Sequence, residues 1–363
     1  MAFFSSVLWA AWTSKRLTNN SGHSYFPAIA ARGANVYVAW YDDTPGNEEI
    51  YFRRSVDGGA SWQSAERITN NEGESFEPAI AASDLNVFLV WWDRSPGNSE
   101  IFFRKSEDGG ATWKPAKRIT YNVGESENPA IAVNHANVYV IWCDKTPGNY
   151  EIYFRKSADG GSTWQAARRL TSGIGASLYP AIAVNGTNVY VVWSEYAVDN
   201  WEIYFRKSAD GGATWQSAKR LTTNAGDSRI PDIAVSEANI YVTWYDNTPI
   251  DNEIYFRKSA DGGANWQAPR TLTNNAWDSN LSAIAVNGPH VFVIWSDYTP
   301  GNWEIFFKKS TDSGSTWQAA QRLTNNLGCS YAPDIATNGT NVYVTYYDST
   351  PGNEEIYVKY SPL

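Results

Sequence analysis

The chain has 363 residues, and its 38 aspartates and glutamates against 29 lysines and arginines give a net charge of −9. That balance excludes a phosphate-backbone partner, so no nucleic acid is expected. Hydrophobic residues at 43% and 18 tryptophans supply an ample core, one in which large rings must be buried.

The opening Met1 to Trp12 is apolar, but it has no basic leader and no small-residue cleavage site, so it reads as a strand and not a signal. No apolar run approaches the roughly 20 residues that span a bilayer. Lys15 to Asn20 comes next, then Pro27 to Ala30, Asn35 to Asp42, Glu49 to Ser55 and Gln63 to Thr69. The last four are short β-branched and aromatic runs bounded by Gly, Pro, Asn or Asp, the signature of strands; they are named A, B, C and D. Between C and D stands the octet Ser55 to Trp62, and it returns five times, ending at Trp113, Trp164, Trp215, Trp266 and Trp317, always 51 residues on. So constant a period means one supersecondary unit copied in tandem.

Strand A recurs at Pro27, Pro78, Pro129, Pro180, Pro231, Ser282 and Pro333, which makes seven copies, and the seventh stops before its own strand D. Lys15 to Asn20 matches the strand D sequence Glu66 to Asn71 and precedes any strand A. The pattern predicts an all-β, seven-bladed β-propeller of four-stranded antiparallel blades, one domain over 1–363. N-terminal strand D joins C-terminal strands A to C and closes the ring, removing open edges. Cys143 and Cys329 then fall far apart on the ring, and no disulfide is expected.

The octet pattern Ser-x-Asp-x-Gly-x-(Ser/Thr)-Trp resembles the Asp-box of sialidases and related BNR-repeat proteins. The resemblance implies a turn between the third and fourth strands of each blade, a secreted or cell-surface setting, and a structural role for Asp57, Asp108, Asp159, Asp210, Asp261 and Asp312. One carboxylate per turn is thin for a calcium ion, which needs about six oxygens. A sialidase is further expected to carry an Arg-Ile-Pro near its first strand, two more arginines, a Tyr/Glu pair and an acid/base Asp. Arg229-Ile230-Pro231 matches the first element in letters, at the head of blade five. Among the other arginines only Arg94 is a non-repeating residue on the same end of the ring, since Arg32 falls in an A-to-B turn at the far end.

Two columns of acids recur in every blade: Asp42, Asp93, Asp144, Glu195, Asp246, Asp297 and Asp348 close strand B, and Glu49, Glu100, Glu151, Glu202, Glu253, Glu304 and Glu355 open strand C. Paired carboxylates suit a glycosidase. Seven copies suit turn caps and partners for Arg53, Arg104, Arg155, Arg206 and Arg257 better. His23, His135 and His290 show no metal-ligand spacing, and no catalytic residue, metal or cofactor is expected.

Departures from the repeat gather in the B-to-C and D-to-A loops of blades four to six. Glu195, Tyr196, Asp199, Trp201, Arg229, Trp277, Tyr298 and Trp303 are the candidate ligand-binding residues, mixing flat rings with charged forks. Drift among redundant loops would leave the same scatter. Two functions stay open: a monomeric, non-catalytic propeller that recognises a glycan or other small polar extracellular ligand, and a glycosidase of sialidase type with a divergent active site.

Overall fold

A computed structural model describes residues 11–197, 199–248, 250–299 and 301–363; residues 1–10 of the apolar opening lie outside that range. Its strands form seven four-stranded antiparallel sheets, the blades of a propeller, and no helix occurs among the described residues. Blade one consists of A (Ser24–Arg32), B (Asn35–Asp42), C (Glu49–Ser55) and D (Glu66–Arg67). Blade seven takes Ser330–Thr337, Asn341–Asp348 and Glu355–Pro362 from the C-terminal end and completes itself with Thr13–Arg16, Ser14 lying opposite Lys359. The ring closes as the repeat predicts.

Strand B is apolar on both faces because it lies sandwiched between neighbouring sheets. Each core is therefore shared by two blades: Tyr37, Ala39, Ile50 and Phe52 of blade one pack with Val87, Leu89 and Trp91 of blade two. Strand D is shorter than the sequence pattern suggests, only two residues in blade one. The reason is local: the Ile50 N–H is taken by the Thr69 hydroxyl at 2.7 Å, where a ladder would use a carbonyl. The same Thr caps strand C in every blade, from Thr18 on Ile356 to Thr324 on Ile305.

The Asp-box is a closed hydrogen-bond circuit. Ser55 Oγ donates to Asp57 Oδ1 at 2.7 Å and accepts from the Gly59 N–H at 2.8 Å, while Asp57 Oδ1 also accepts from the Ser61 N–H at 2.8 Å. Gly110 sits at φ 79°, and a Cβ there would come within 2.6 Å of the Phe52 ring of the preceding blade. The Asp-box Trp113 meets that same ring edge-on at 4.9 Å. The turn thus fastens one blade to the previous one.

Hydrogen bonds from Ser61 and Ser55 hold the Asp57 carboxyl at about 2, and equivalent bonds hold Asp210, Asp261 and Asp312 at about 2. A carboxyl depressed in the fold contributes stability above its unfolded value, near 3.9, and loses it as pH falls through the folded value. Between about pH 4 and 2 the melting temperature should therefore fall, and Asp261→Asn should fall less steeply than the parent chain. Parallel melting curves for the two proteins over that window would refute the assignment.

The strand C arginines do something other than neutralise the acid columns. Arg104 donates from Nε to Lys114 O at 2.8 Å and from Nη1 to Ile68 O, in the preceding blade, at 2.6 Å. Arg53, Arg155, Arg206 and Arg257 make the same two bonds. The partners of the strand C glutamates are instead strand D arginines, as in Arg67 with Glu49 at 2.8 Å. Register explains the exchange, since Arg67 pairs beside Tyr51, two residues from Glu49.

Candidate functional site

Both acid columns are consumed by the fold. Asp42 Oδ2 accepts from Asn20 Nδ2 and Ser24 Oγ at 2.7 Å and from Trp40 Nε1 at 3.3 Å, and its Oδ1 accepts from the Thr44 N–H at 2.9 Å. Asp42 and Glu49 are 1% and 0% exposed. In blade four the column carries Glu195, and the partner asparagine of other blades is replaced by Gly173. A Cβ on Gly173 would lie 3.2 Å from Glu195 Oε1. The longer acid fills the space the missing asparagine side chain leaves, and Glu195 keeps the tryptophan bond, from Trp193 Nε1 at 2.8 Å.

The non-repeating chemistry of this end is organised by a bulge in strand A. Proline has no N–H for the ladder, and the register of blade one jumps from Tyr25↔Tyr41 to Ala28↔Ala39 around Pro27. The residue before each bulge proline, or before Ser282 in blade six, sits at positive φ: Phe26 45°, Glu77 47°, Asn128 51°, Tyr179 53°, Ile230 49°, Leu281 49° and Ala332 48°. Seven non-glycine residues in a disfavoured conformation line one axial cavity of about 360 Å³. No two of them are the same residue type.

Around that cavity the last pair before each bulge also varies. Blades seven, one and two carry aromatic pairs, Tyr331↔Tyr347, Tyr25↔Tyr41 and Phe76↔Trp92. Blades three, four and six carry Glu127↔Cys143, Leu178↔Ser194 and Asn280↔Ser296, and blade five carries Arg229↔Tyr245. The rings touch in sequence from Trp277 through Tyr298, Trp303, Tyr331, Tyr347, Tyr25, Tyr41 and Phe76 to Trp92, with centroids 4.4–6.1 Å apart. An aromatic arc thus sweeps from blade six across the closure to blade two.

The candidate residues divide into two groups. Trp277, Tyr298 and Trp303 form one end of the arc. Tyr196 and Trp201, 5.5 Å apart, stand across blade five with Arg229, whose guanidinium lies 4.4 Å over Trp201 and 3.6 Å from Asp227 Oδ2. Blade four lacks the Pro-Gly turn, so its ladder runs two pairs further, to Ala197↔Asn200. Asp199 lies exposed at the tip of that hairpin.

Reading the loops alone misses Phe26, Glu77, Tyr179 and the arc residues of blades seven to two. The signal that marks them is present: the pair of residues before the strand A proline differs in every copy, while the serine ahead of it recurs in all seven. Within the cavity, burial pushes the Glu77 carboxyl up, against bonds from Trp92 Nε1 at 3.0 Å and Asn128 Nδ2 at 2.6 Å that hold it down. Asp232 and Asp334 stand where other blades have alanine, and they accept from the Ile284 and Ile29 N–H groups of the following blades at 2.8 and 2.9 Å. Burial raises them to about 7 and about 6, though each residue keeps partial exposure, Asp334 at the axial cavity. Among the described residues no cluster of three or more His, Cys, Asp or Glu is placed to hold a metal ion.

The family model of the BNR repeat-like domain matches residues 49–191 and 152–344. The chain belongs to the BNR repeat-like family. No curated protein matches this BNR repeat-like sequence. Among solved structures, its fold is similar to that of the NanB sialidase of Streptococcus pneumoniae (TM-score 0.51, 11% identity, 96% of this chain and 70% of that one). It is similar to Trypanosoma rangeli sialidase (TM-score 0.56, 12% identity), covering 97% of this chain and 60% of the trypanosomal chain. An α-L-arabinofuranosidase from Fusarium graminearum matches nearly end to end (TM-score 0.56, 12% identity, 94% and 93%). At these identities the likeness is one of fold.

Proposed function

We propose that this BNR repeat-like propeller binds a glycan at the axial cavity and aromatic arc, and that it binds without cleaving. The observation that carries the reading is the arc itself: rings in unbroken contact beside a cavity to which each blade contributes a different positive-φ residue. Ring faces stack on the apolar faces of sugars, and a few polar groups beside them fix orientation. Tyr196, Trp201 and Arg229 form a second flank, with Asp199 at its hairpin tip. The structural neighbours are named for acting on sugars, which supports the ligand class, and the family resemblance supports an extracellular setting.

What supports binding without cleavage is the way the charged groups are engaged. The recurring acids accept hydrogen bonds from their own blade and the adjoining loop, and the two non-repeating arginines of this end each face a carboxylate. Arg94 pairs with Glu74 at 2.8 Å in blade two, while Arg229 faces Asp227 at the blade four to five boundary. On a glycan array, Trp303→Ala and Phe26→Ala should each weaken binding at least about tenfold, roughly 1.4 kcal/mol, and Trp201→Ala less. Leu85→Ala, exposed on an A-to-B turn, should bind as the parent does. Equal losses in all four variants, or none in any, would defeat the assignment. Turnover of an aryl sialoside at about 1 per second or faster would establish the glycosidase reading instead.

A further inference from the structure

The axial cavity is walled mainly by the strand A prolines and by alkyl and aromatic side chains, and among the described residues no lysine, arginine or histidine lines it. The two non-repeating arginines of this end stand outside that lining, Arg94 paired with Glu74 and Arg229 beside Asp227. Two carboxylates do line it, Glu77 from blade two and Asp334 from blade seven. Asp334 is fully engaged by the fold: its Oδ2 accepts from the Ile29 N–H at 2.9 Å and its Oδ1 from the Ile335 N–H at 2.8 Å.

Glu77 is held differently. Trp92 Nε1 at 3.0 Å and Asn128 Nδ2 at 2.6 Å both donate to the same oxygen, Oε2. Among the described residues Oε1 accepts no hydrogen bond, and it is not sealed from solvent. Donors from two blades thus fix the carboxylate and leave one oxygen free at the cavity. The other blades carry Phe26, Asn128, Tyr179, Ile230, Leu281 and Ala332 at this position, so the acceptor occurs once around the axis. Apolar walls strengthen both its attraction for a donor and its repulsion of an anion.

We propose that Glu77 Oε1 selects a neutral terminal sugar, accepting a hydrogen bond from one of its hydroxyls and turning away uronates and sialates. This rests on the glycan reading and names the class of glycan. The apolar face of the sugar packs on Phe26 and the proline wall while its hydroxyl meets the carboxylate. An acidic sugar would bring a second carboxylate to Glu77, with no cation in the lining to offset the two.

Glu77→Gln gives the test its direction. Trp92 and Asn128 donate only to an oxygen, so the amide oxygen takes the place of Oε2 and the amide nitrogen faces the cavity. An acceptor becomes a donor, and a negative charge is lost. The parent chain, Glu77→Gln and Glu72→Gln, which removes the same charge from an exposed loop position, are compared on one glycan array at low salt. A pH of 8 favours the ionised Glu77 carboxyl against the burial that pushes it up. The array pairs neutral and acidic probes: cellotetraose with its uronate, galactotetraose with tetragalacturonate, and lactose with sialyllactose. The parent should bind a neutral member about tenfold or more tightly than its acidic counterpart. In Glu77→Gln that ratio should fall about tenfold, with the acidic probe gaining affinity, a gain that damage to the fold does not produce. Glu72→Gln should keep the parent ratio. If the parent binds the acidic member equally well, or Glu77→Gln leaves the ratio unchanged, or Glu72→Gln shifts it as much, selection by Glu77 is overturned and the glycan reading stands. A parent chain that binds no member of the array overturns both.

Discussion

A chain lacking residues 1–20 should fail to melt cooperatively and should aggregate, because the deletion removes the fourth strand of blade seven. Thr13 to Arg16 pair with Tyr357 to Tyr360, and their loss opens an edge on one sheet and uncovers the flank of another, a template for intermolecular pairing. Buried groups also lose their partners. Glu355 loses the Arg16 guanidinium at 2.8 Å and the Asn20 N–H at 3.2 Å, the Ile356 N–H loses the Thr18 hydroxyl, and Asp42 loses the Asn20 amide. Stranding buried charges and donors costs a few kcal/mol per group, so the sum rivals the whole net stability of a domain, about 5–15 kcal/mol. Moving the same segment to the C-terminal end should restore the cooperative transition. If the truncated chain melts like the full one by calorimetry, the ring does not depend on this closure.

Trp142→Ala should be the most damaging single core substitution tested within an intact ring, at about 3–5 kcal/mol. The indole is 1% exposed, packs with Phe88, Val90 and Val138 at the interface of blades two and three, and stacks on Tyr153 at 5.9 Å. Its Nε1 donates to Asp144 Oδ2 at 3.1 Å, so alanine leaves a cavity and also strips a donor from a buried carboxylate. Blade seven carries Tyr346 in this column, and Trp142→Tyr should accordingly lose much less. Denaturant unfolding of both variants decides it: a loss below about 1 kcal/mol for alanine would mean that neighbouring blades slide to fill the space, contrary to close packing.

Much of this protein could be read from its letters because the information is local or periodic. Turn chemistry from Ser55 to Trp62, the 51-residue spacing and the stray strand D at Lys15 to Asn20 determine the blade, the number of blades and the manner of closure. The structural role of Asp57 and its equivalents follows equally, since every partner lies within a few residues. Pairings that depend on register were harder: the sequence pointed to strand C arginines as partners for Glu49, and only the ladder places Arg67 beside it and sends Arg53 to the preceding blade.

The candidate site was decided by tertiary structure. Trp201 and Trp303 occupy equivalent positions in their repeats, yet one stands under Arg229 and the other joins the arc through Tyr331. Phe26 and Tyr347 are distant in sequence and meet across the closure. A repeat written along a line has no inside; curling it into a ring turns one column of residues toward a common axis. Which column faces inward was set by the bulge of strand A, whose positive-φ residues, Phe26, Glu77 and Tyr179 among them, line the cavity. The sequence by itself determined the ring, because each blade is specified by contacts within itself and to its neighbour, whereas the axial cavity needed all seven blades in place before any of its residues became neighbours.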